Sequence, residues 1–323
     1  TVADMVSLTD ENRTIVLSGL TLIKDSMRVG LQLLLQNEKV NLDNLTSETI
    51  GFIIGPRLNA VGRLGDPTPG LELLKTLDIS EAESLLEIVN EKNRERKSIT
   101  ENITIEIENR MAQYDSIPNI IIEADKDWPA GVLGIAASRL VKKYQRPAIV
   151  FQYIEEKKQY KGSSRSVSKI NIFEELVKQN EYLTHFGGHS QAAGLTIDEE
   201  NWEDFKQSIH KSFEHYTELL NEPEPIVIDM PLSVNEMTID FINEVNLLGP
   251  FGTDNPKPQF MVKDAHINTI RFIGADKNHV KLALKQTNSQ AELQAIGFGK
   301  AEQAEGLENG SVVSVVGELD INE

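Results

Sequence analysis

Apolar residues recur along this chain with two different periods, and the change from one to the other divides it. Residues 1–8 alternate weakly, as the end of a strand that would deliver Asp4 to a loop. After Asp10, a residue suited to a helix N-cap, Ile15, Leu17, Leu20, Ile23 and Met27 recur at helical spacing, and a second helical run covers 29–36. Ser80-Glu81-Ala82-Glu83 has the form of a capping box, and Leu85, Leu86, Val89, Ile99, Ile103, Ile107 and Met111 continue as one stripe with no Pro or Gly before Pro118. This predicts a helix of some 30 residues, about 45–50 Å long. Its middle, 90–97, is polar all round, as in a helix that bridges two domains across solvent. A coiled-coil or bundle helix is the other reading, disfavoured because the stripe lapses at the centre.

Beyond the helix the period changes. Residues 117–123 and 147–151 read as strands of the buried type, separated by a helical face of Leu133, Ile135, Ala136 and Leu140. Strand, helix and strand predict a right-handed crossover in an α/β domain. A third strand over 160–167 carries Ser163, Ser164 and Arg165. A helix over 172–183, a Gly187-Gly188 turn, a strand over 192–197 and a helix over 202–216 follow. Asn221-Glu222-Pro223-Glu224-Pro225 reads as a linker. After it, strands at 226–229, 259–272, 279–284, 292–298 and 311–319, with a short helix over 300–306, fit a small Greek-key barrel of OB type that looks unfinished. The fold class is therefore α/β plus β-barrel.

Composition narrows the chemistry. The chain has no cysteine, which removes disulfides and thiolate metal sites and suits a reducing cytoplasm. No apolar run approaches the roughly 18 residues a membrane helix needs. The start, Thr1-Val2-Ala3-Asp4-Met5, has no signal-peptide pattern and reads as a chain entered partway. A net charge of −18 argues against a sequence-independent coat on nucleic acid. The basic residues are nevertheless grouped. Arg57 and Arg63 are the only charges in 51–65, Lys142 and Lys143 lie between Arg139 and Arg146, and 157–169 holds Lys157, Lys158, Lys161, Arg165 and Lys169 without an acid. A narrow basic groove on an acidic body would hold a short tract of backbone.

Three stretches offer chemistry. In His185-Phe186-Gly187-Gly188-His189, two glycines let backbone N–H groups crowd an oxyanion beside an imidazole, although a plain Gly-Gly turn with a surface histidine has the same sequence. Arg57, Asn59 and Arg63 offer forked donors to phosphate. Six residues apart, the two arginines would diverge on a regular helix unless Gly62 allows a bend. The alternative is a surface loop whose arginines pair with acids. Asp4 at a strand end suits a hard divalent cation, but a single carboxylate is more often a turn residue. Zinc pairs of the H-E-x-x-H type, phosphate loops, dinucleotide fingerprints and G-x-S-x-G elbows are all absent.

Thr1-Val2-Ala3-Asp4, the Arg57–Arg63 segment, Trp128-Pro129-Ala130-Gly131-Val132-Leu133-Gly134-Ile135-Ala136-Ala137-Ser138-Arg139-Leu140, Ser163-Ser164-Arg165-Ser166, Gly187-Gly188-His189 and Leu248-Gly249-Pro250-Phe251-Gly252 occur in one order. This ordered set, covering essentially the whole chain, resembles the later motifs of the RecJ exonucleases in the DHH phosphoesterase superfamily. The resemblance implies the end of a DHH catalytic domain at 1–79, a connecting helix at 80–113, a DHH-associated substrate-binding domain at 114–221 and an incomplete OB-fold at 226–323. It implies a bacterial, cytoplasmic, monomeric 5′→3′ exonuclease of DNA repair and recombination. Its substrate would be single-stranded DNA with a 5′ end, cut by a Mn²⁺ or Mg²⁺ pair to release mononucleotides. A single-strand-binding protein or a helicase is the implied partner. Asp4 matches a metal ligand. Arg57, Asn59, Arg63, Ser164, Arg165, Gly187, Gly188 and His189 match substrate- and phosphate-binding positions. The Asp-His-His signature that supplies most metal ligands is missing, so this polypeptide alone is expected to be inactive. Two alternatives remain: a DHH phosphodiesterase of short oligoribonucleotides or cyclic dinucleotides, whose members manage without an OB tail, and a non-enzymatic single-strand-binding module.

Overall fold

In the computed structural model, which describes residues 1–287 and 289–321, the longest element is a single helix. Helix α1 (Asp10–Lys24) comes first, with acids in its first turn and Lys24 in its last, as the helix dipole favours. Helices α2 (Val29–Asn37), α3 (Gly55–Leu64) and α4 (Thr68–Lys75) precede α5 (Ile79–Met111), which has 33 residues. Its N-cap is Asp78, whose carboxylate accepts from the Glu81 N–H at 2.8 Å. The helix thus starts one residue before Ser80, because the aspartate is the better-placed acceptor. Helices α2, α3 and α4 pack along its first half and α6 (Ala130–Tyr144) along its second. The polar centre is consequently covered on one side: Val89 and Thr100 are buried, and Asn93 is 4% exposed. The expected solvent bridge is corrected here. Asn93 and Arg96 are polar but face inward and bond one another, Arg96 Nη2 donating to Asn93 Oδ1 at 2.9 Å.

Helix α5 also backs a five-stranded sheet in the order β1-β2-β3-β5-β4. β1 (Ile121–Asp125) and β2 (Ala148–Ile154) are parallel, joined through α6, while β3 (Gln159–Arg165), β5 (Ala192–Asp198) and β4 (His185–His189) are antiparallel additions. Alternation sorts the strands between two cores. Ile122, Ile149, Phe151, Leu195 and Ile197 face α7 (Ile172–Lys178) and α8 (Trp202–Ser212), with Trp202, Phe205 and Ile209 packed on them. Ile121, Ala148 and Val150 face α6 and, behind it, Ile103 and Ile107 of α5. A short helix, α9 (Thr217–Asn221), ends this part before the predicted linker. The Gly187-Gly188 stretch is strand β4 at the sheet edge rather than a turn, because every residue from His185 to His189 pairs with β5.

The chain divides into two compact units: residues 25–43 with 51–224, and residues 1–24 with 44–50 and the chain from Pro225 on. In the latter unit the expected first strand is replaced by a turn, Met5 N–H donating to Val2 O at 3.0 Å. Thr1 to Met5 find no strand partner among the described residues. Arg13 of α1 donates to the carbonyls of Leu247 and Leu248 at 3.1 and 2.8 Å, tying the helix to the C-terminal segment.

That segment opens with β6 (Met230–Pro231), shorter than and later than the strand expected at 226–229, where Ile226 and Val227 stay exposed. An unforeseen helix, α10 (Ile239–Asn246), follows. The sheet runs β10-β7-β8-β9, through β7 (Phe260–Ile273), β8 (His279–Lys285), β9 (Leu293–Gly297) and β10 (Val312–Gly317). Irregularities at Ile267/Thr269 and Val313/Val315 bend the long β7 with its neighbours. Val262, Ala265, Ile267, Val280, Leu282 and Leu284 form the core. The sheet is curled and open, with no β9–β10 pairing among the described residues, as in an incomplete OB-fold. The helix expected over 300–306 is a single 3₁₀ turn, Glu302–Ala304, since Gly299 and Gly306 take left-handed φ on either side.

Candidate nucleic-acid interface

Helix α6 lies across β2 and β3 and leaves the same face of β5 and β4 uncovered. Cross-strand register places Ser163 beside Gly194 and Gly187, and Arg165 beside Ala192 and His189, all on that face. Gly187 and Gly194 are exposed; a Cβ on Gly187 would meet nothing within 4 Å, and one on Gly194 only a carbonyl at 3.9 Å. The result is a flat glycine floor, with His185 and His189 on the outer strand and Arg165 at the inner edge. As an edge strand, β4 also presents unpaired backbone groups along its open side. Gly188 has a different task. It points to the opposite face, where a Cβ would stand 2.3 Å from Ala192 O and 2.5 Å from Ala193 Cα.

Arg165 Nη1 donates to Ser163 Oγ at 3.2 Å and to Ser164 O at 2.7 Å. It forms no ion pair among the described residues. Burial, and then the guanidinium of Arg63, hold its pKa below the usual arginine range. Room for Arg165 comes from Gly134 of α6, where a Cβ would fall 2.7 Å from Nη2 and 2.9 Å from Ser163 Oγ. One turn earlier, Gly131 lets α6 touch α3, since a Cβ there would lie 1.9 Å from Arg63 O. Across this contact Arg63 Nη1 donates to Gly131 O at 3.1 Å. Asn59, one turn before Arg63 on α3, is exposed, so both point outward from the same side.

Four of the expected site residues fall elsewhere. Arg57 and Arg63 do not converge, because α3 is a regular helix through Gly62. Arg57 is 11% exposed, paired with Glu38, and donates to Ile53 O at 2.8 Å. Ser164 is fully buried on the α7/α8 side, where its hydroxyl donates to Ala193 O and accepts from Ala193 N–H, both at 3.0 Å. Strand alternation puts Ser163, not Ser164, next to Arg165. Gly188 turns to the opposite face, close against Ala192 and Ala193. Asp4 is 84% exposed, with only the N-terminal ammonium at 3.7 Å. No group of three or more His, Cys, Asp or Glu among the described residues could hold a metal ion. The residues present therefore do not form a metal site.

Ser163, Gly194, Arg96 and the packing pair Gly131/Gly134 were not singled out from sequence. The period-2 alternation of β3 and the i,i+3 spacing of the two glycines were the available signals.

The model of the RecJ OB domain matches residues 228–323, and that of the DHHA1 domain residues 118–215. The single-stranded-DNA-specific exonuclease RecJ of Bacillus subtilis is 39% identical over 100% of this chain and 41% of its own length. That of Escherichia coli is 31% identical over 100% of this chain and 57% of its own. The chain thus spans about half the length of the curated relatives it matches. Among solved structures, Thermus thermophilus RecJ in complex with Mn²⁺ superposes with a TM-score of 0.77 at 28% identity, covering 100% of this chain and 48% of that one.

Proposed function

The chain belongs to the RecJ family, and on that premise we propose that its glycine-floored shelf holds the backbone of a single-stranded DNA for 5′→3′ exonucleolytic cleavage. The observation that carries this reading is Arg165, a half-buried guanidinium without a carboxylate among the described residues, at the edge of a floor where Gly187 and Gly194 carry no side chain. A charge desolvated without a partner is costly, and a phosphate oxyanion supplies the partner with forked geometry. Arg63 and Asn59 form the opposing wall. His189 can donate to the same strand from the outer edge. The glycines admit a sugar–phosphate backbone where any Cβ would intrude.

In the longer protein the work would be hydrolysis of the 5′-terminal phosphodiester to release mononucleotides, with Mg²⁺ or Mn²⁺ as the metal. Asp4 offers one carboxylate to that centre, and the other ligands would come from outside these residues. Accordingly the chain alone binds the strand and does not hydrolyse it. We read residues 1–79 as the close of the catalytic domain, 80–113 as the connecting helix, 114–221 as the substrate-binding domain and 226–323 as the OB domain. The OB-domain match favours a polymeric strand over the dinucleotide substrates of relatives that lack that domain. A monomer in the bacterial cytoplasm, served by a single-strand-binding protein or a helicase, completes the proposal.

The test is binding of labelled single-stranded and duplex DNA to this chain across a salt series. Salt-dependent binding of the single strand, weakened about tenfold in Arg165→Ala, supports the reading. Equal binding of duplex, or wild-type affinity in Arg165→Ala, overturns it.

A further inference from the structure

The polar centre of α5 contributes a residue that the matched motifs do not include. Arg96 is half-buried, and among the described residues its side chain makes a single hydrogen bond, to Asn93 Oδ1. Its Nε is buried and has no partner among them. No carboxylate lies one turn away in either direction: Lys92, Asn93, Ile99 and Thr100 occupy those positions. Burial first, and then the charges of Arg63, Arg139 and Arg57, hold its pKa below the arginine range.

Two members of this cluster are neutralised, Arg57 by Glu38 and Arg139 by Glu101. Arg63, Arg96 and Arg165 are not paired with any acid among the described residues. The chain has 50 acidic residues against 32 basic ones, so the lack of a partner here does not reflect a shortage of carboxylates. Like charges in a partly desolvated site repel strongly, and such an arrangement persists where an anion completes it. Arg63 links the other two: it bonds Gly131 of α6, one turn from the Gly134 that makes room for Arg165, and its charge acts on both Arg96 and Arg165. Several unpaired guanidiniums match successive phosphates of one strand better than a single carboxylate, which could pair with only one of them.

We propose that Arg96 binds a backbone phosphate of the single strand, adjacent to the one held at Arg165, and so extends the shelf onto the long helix. The inference rests on the reading of the cleft given above. It makes α5 part of the substrate path, with Arg63 shared between two phosphate positions.

The experiment measures the affinity of this chain for a labelled oligothymidylate of about twelve nucleotides across salt. On single strands each lost phosphate contact lowers the slope of log K against log[salt] by about 0.7. Arg96→Gln is expected to lower the slope by about that amount without lowering the melting temperature, and Arg96→Lys to keep the slope. A normal slope in Arg96→Gln, alongside a reduced slope in Arg165→Ala, overturns the inference and leaves the cleft reading standing. Normal slopes in both variants overturn the cleft reading and the inference with it. A lowered melting temperature with an unchanged slope assigns Arg96 to the fold, and also overturns the inference.

Discussion

The two flanks of the sheet face under α6 treat charge in opposite ways. Beside β1, Glu123 and Asp125 meet Arg110, which reaches them at 3.4 and 2.6 Å and also pairs with Glu106. Tyr114 adds a hydrogen bond to Glu123 at 2.6 Å. Both of these carboxylates have a counter-charge supplied by α5. Beside β3 and β4, Arg165 and Arg63 have only neutral oxygens, and glycine replaces side chains on the floor. The first flank is closed by its own chain, and the second has no counter-charge among the described residues. Burial by itself therefore does not distinguish the two flanks. What distinguishes them is burial left uncompensated where compensation was within reach.

The contrast is most sharply tested by the adjacent glycines of β4. Gly188→Ala drives a Cβ into the backbone of Ala192 and Ala193, and is expected to cost about 3 kcal/mol, read as a lowered midpoint of urea denaturation. Gly187→Ala places its Cβ in open space, so stability should stay within about 0.5 kcal/mol while affinity for single-stranded DNA falls. Equal destabilisation by the two would remove the distinction between floor and interior.

The arginines come next. Arg110→Ala strands Glu123 and Asp125 and is expected to destabilise by about 2 kcal/mol. That is below the roughly 3–5 of a fully buried pair, because Arg110 keeps about a third of its surface in water. Arg165→Ala should change stability by no more than about 0.5 kcal/mol and weaken single-strand binding about tenfold, roughly 1.4 kcal/mol. If Arg165→Ala unfolds the chain as Arg110→Ala does, the open flank is structural after all.

The smallest effect concerns pH. Burial, and then its bond to Glu123, push Tyr114 up to about 12. A phenol whose pKa rises on folding lends stability that is complete below its unfolded value near 10 and is lost as pH climbs through about 12. Denaturation midpoints of wild type and Tyr114→Phe should therefore draw together between pH 10 and 12, if the fold survives there. Parallel curves would show that the closed flank owes nothing to this bond.

Periodicity was enough to find the strands of the central sheet, because Ile120 to Ile122 and Ala148 to Phe151 are buried on both faces and read as unbroken apolar runs. It failed where exposure and structure part company. Strand β4 has a single partially buried residue and two glycines, so nothing in its composition suggests a strand; pairing with β5 alone makes it one. The centre of α5 looked solvated because Asn93 and Arg96 are polar, although both turn inward. The ordered motifs pointed to the family, and they named Arg165 and Gly187, which the strand register places on one face of the sheet. Ser164 and Arg57 were misplaced because a motif names neighbours in sequence, while the sheet and the helix decide which neighbour faces the cleft.

The 33 residues of α5 form one uninterrupted rod, and this makes it a gauge. Arg96 and Arg110 stand fourteen positions apart on it, about 21 Å along the axis at 1.5 Å per residue. Inserting one residue between them would rotate one relative to the other by about 100°, taking either the unpaired arginines or the β1 ion network out of register. Inserting seven would nearly restore the facing while lengthening the gap by about 10 Å. The helix therefore tolerates substitution along its outer side far better than any change in its length, and under the proposed reading its residue count also sets a dimension of the strand's path.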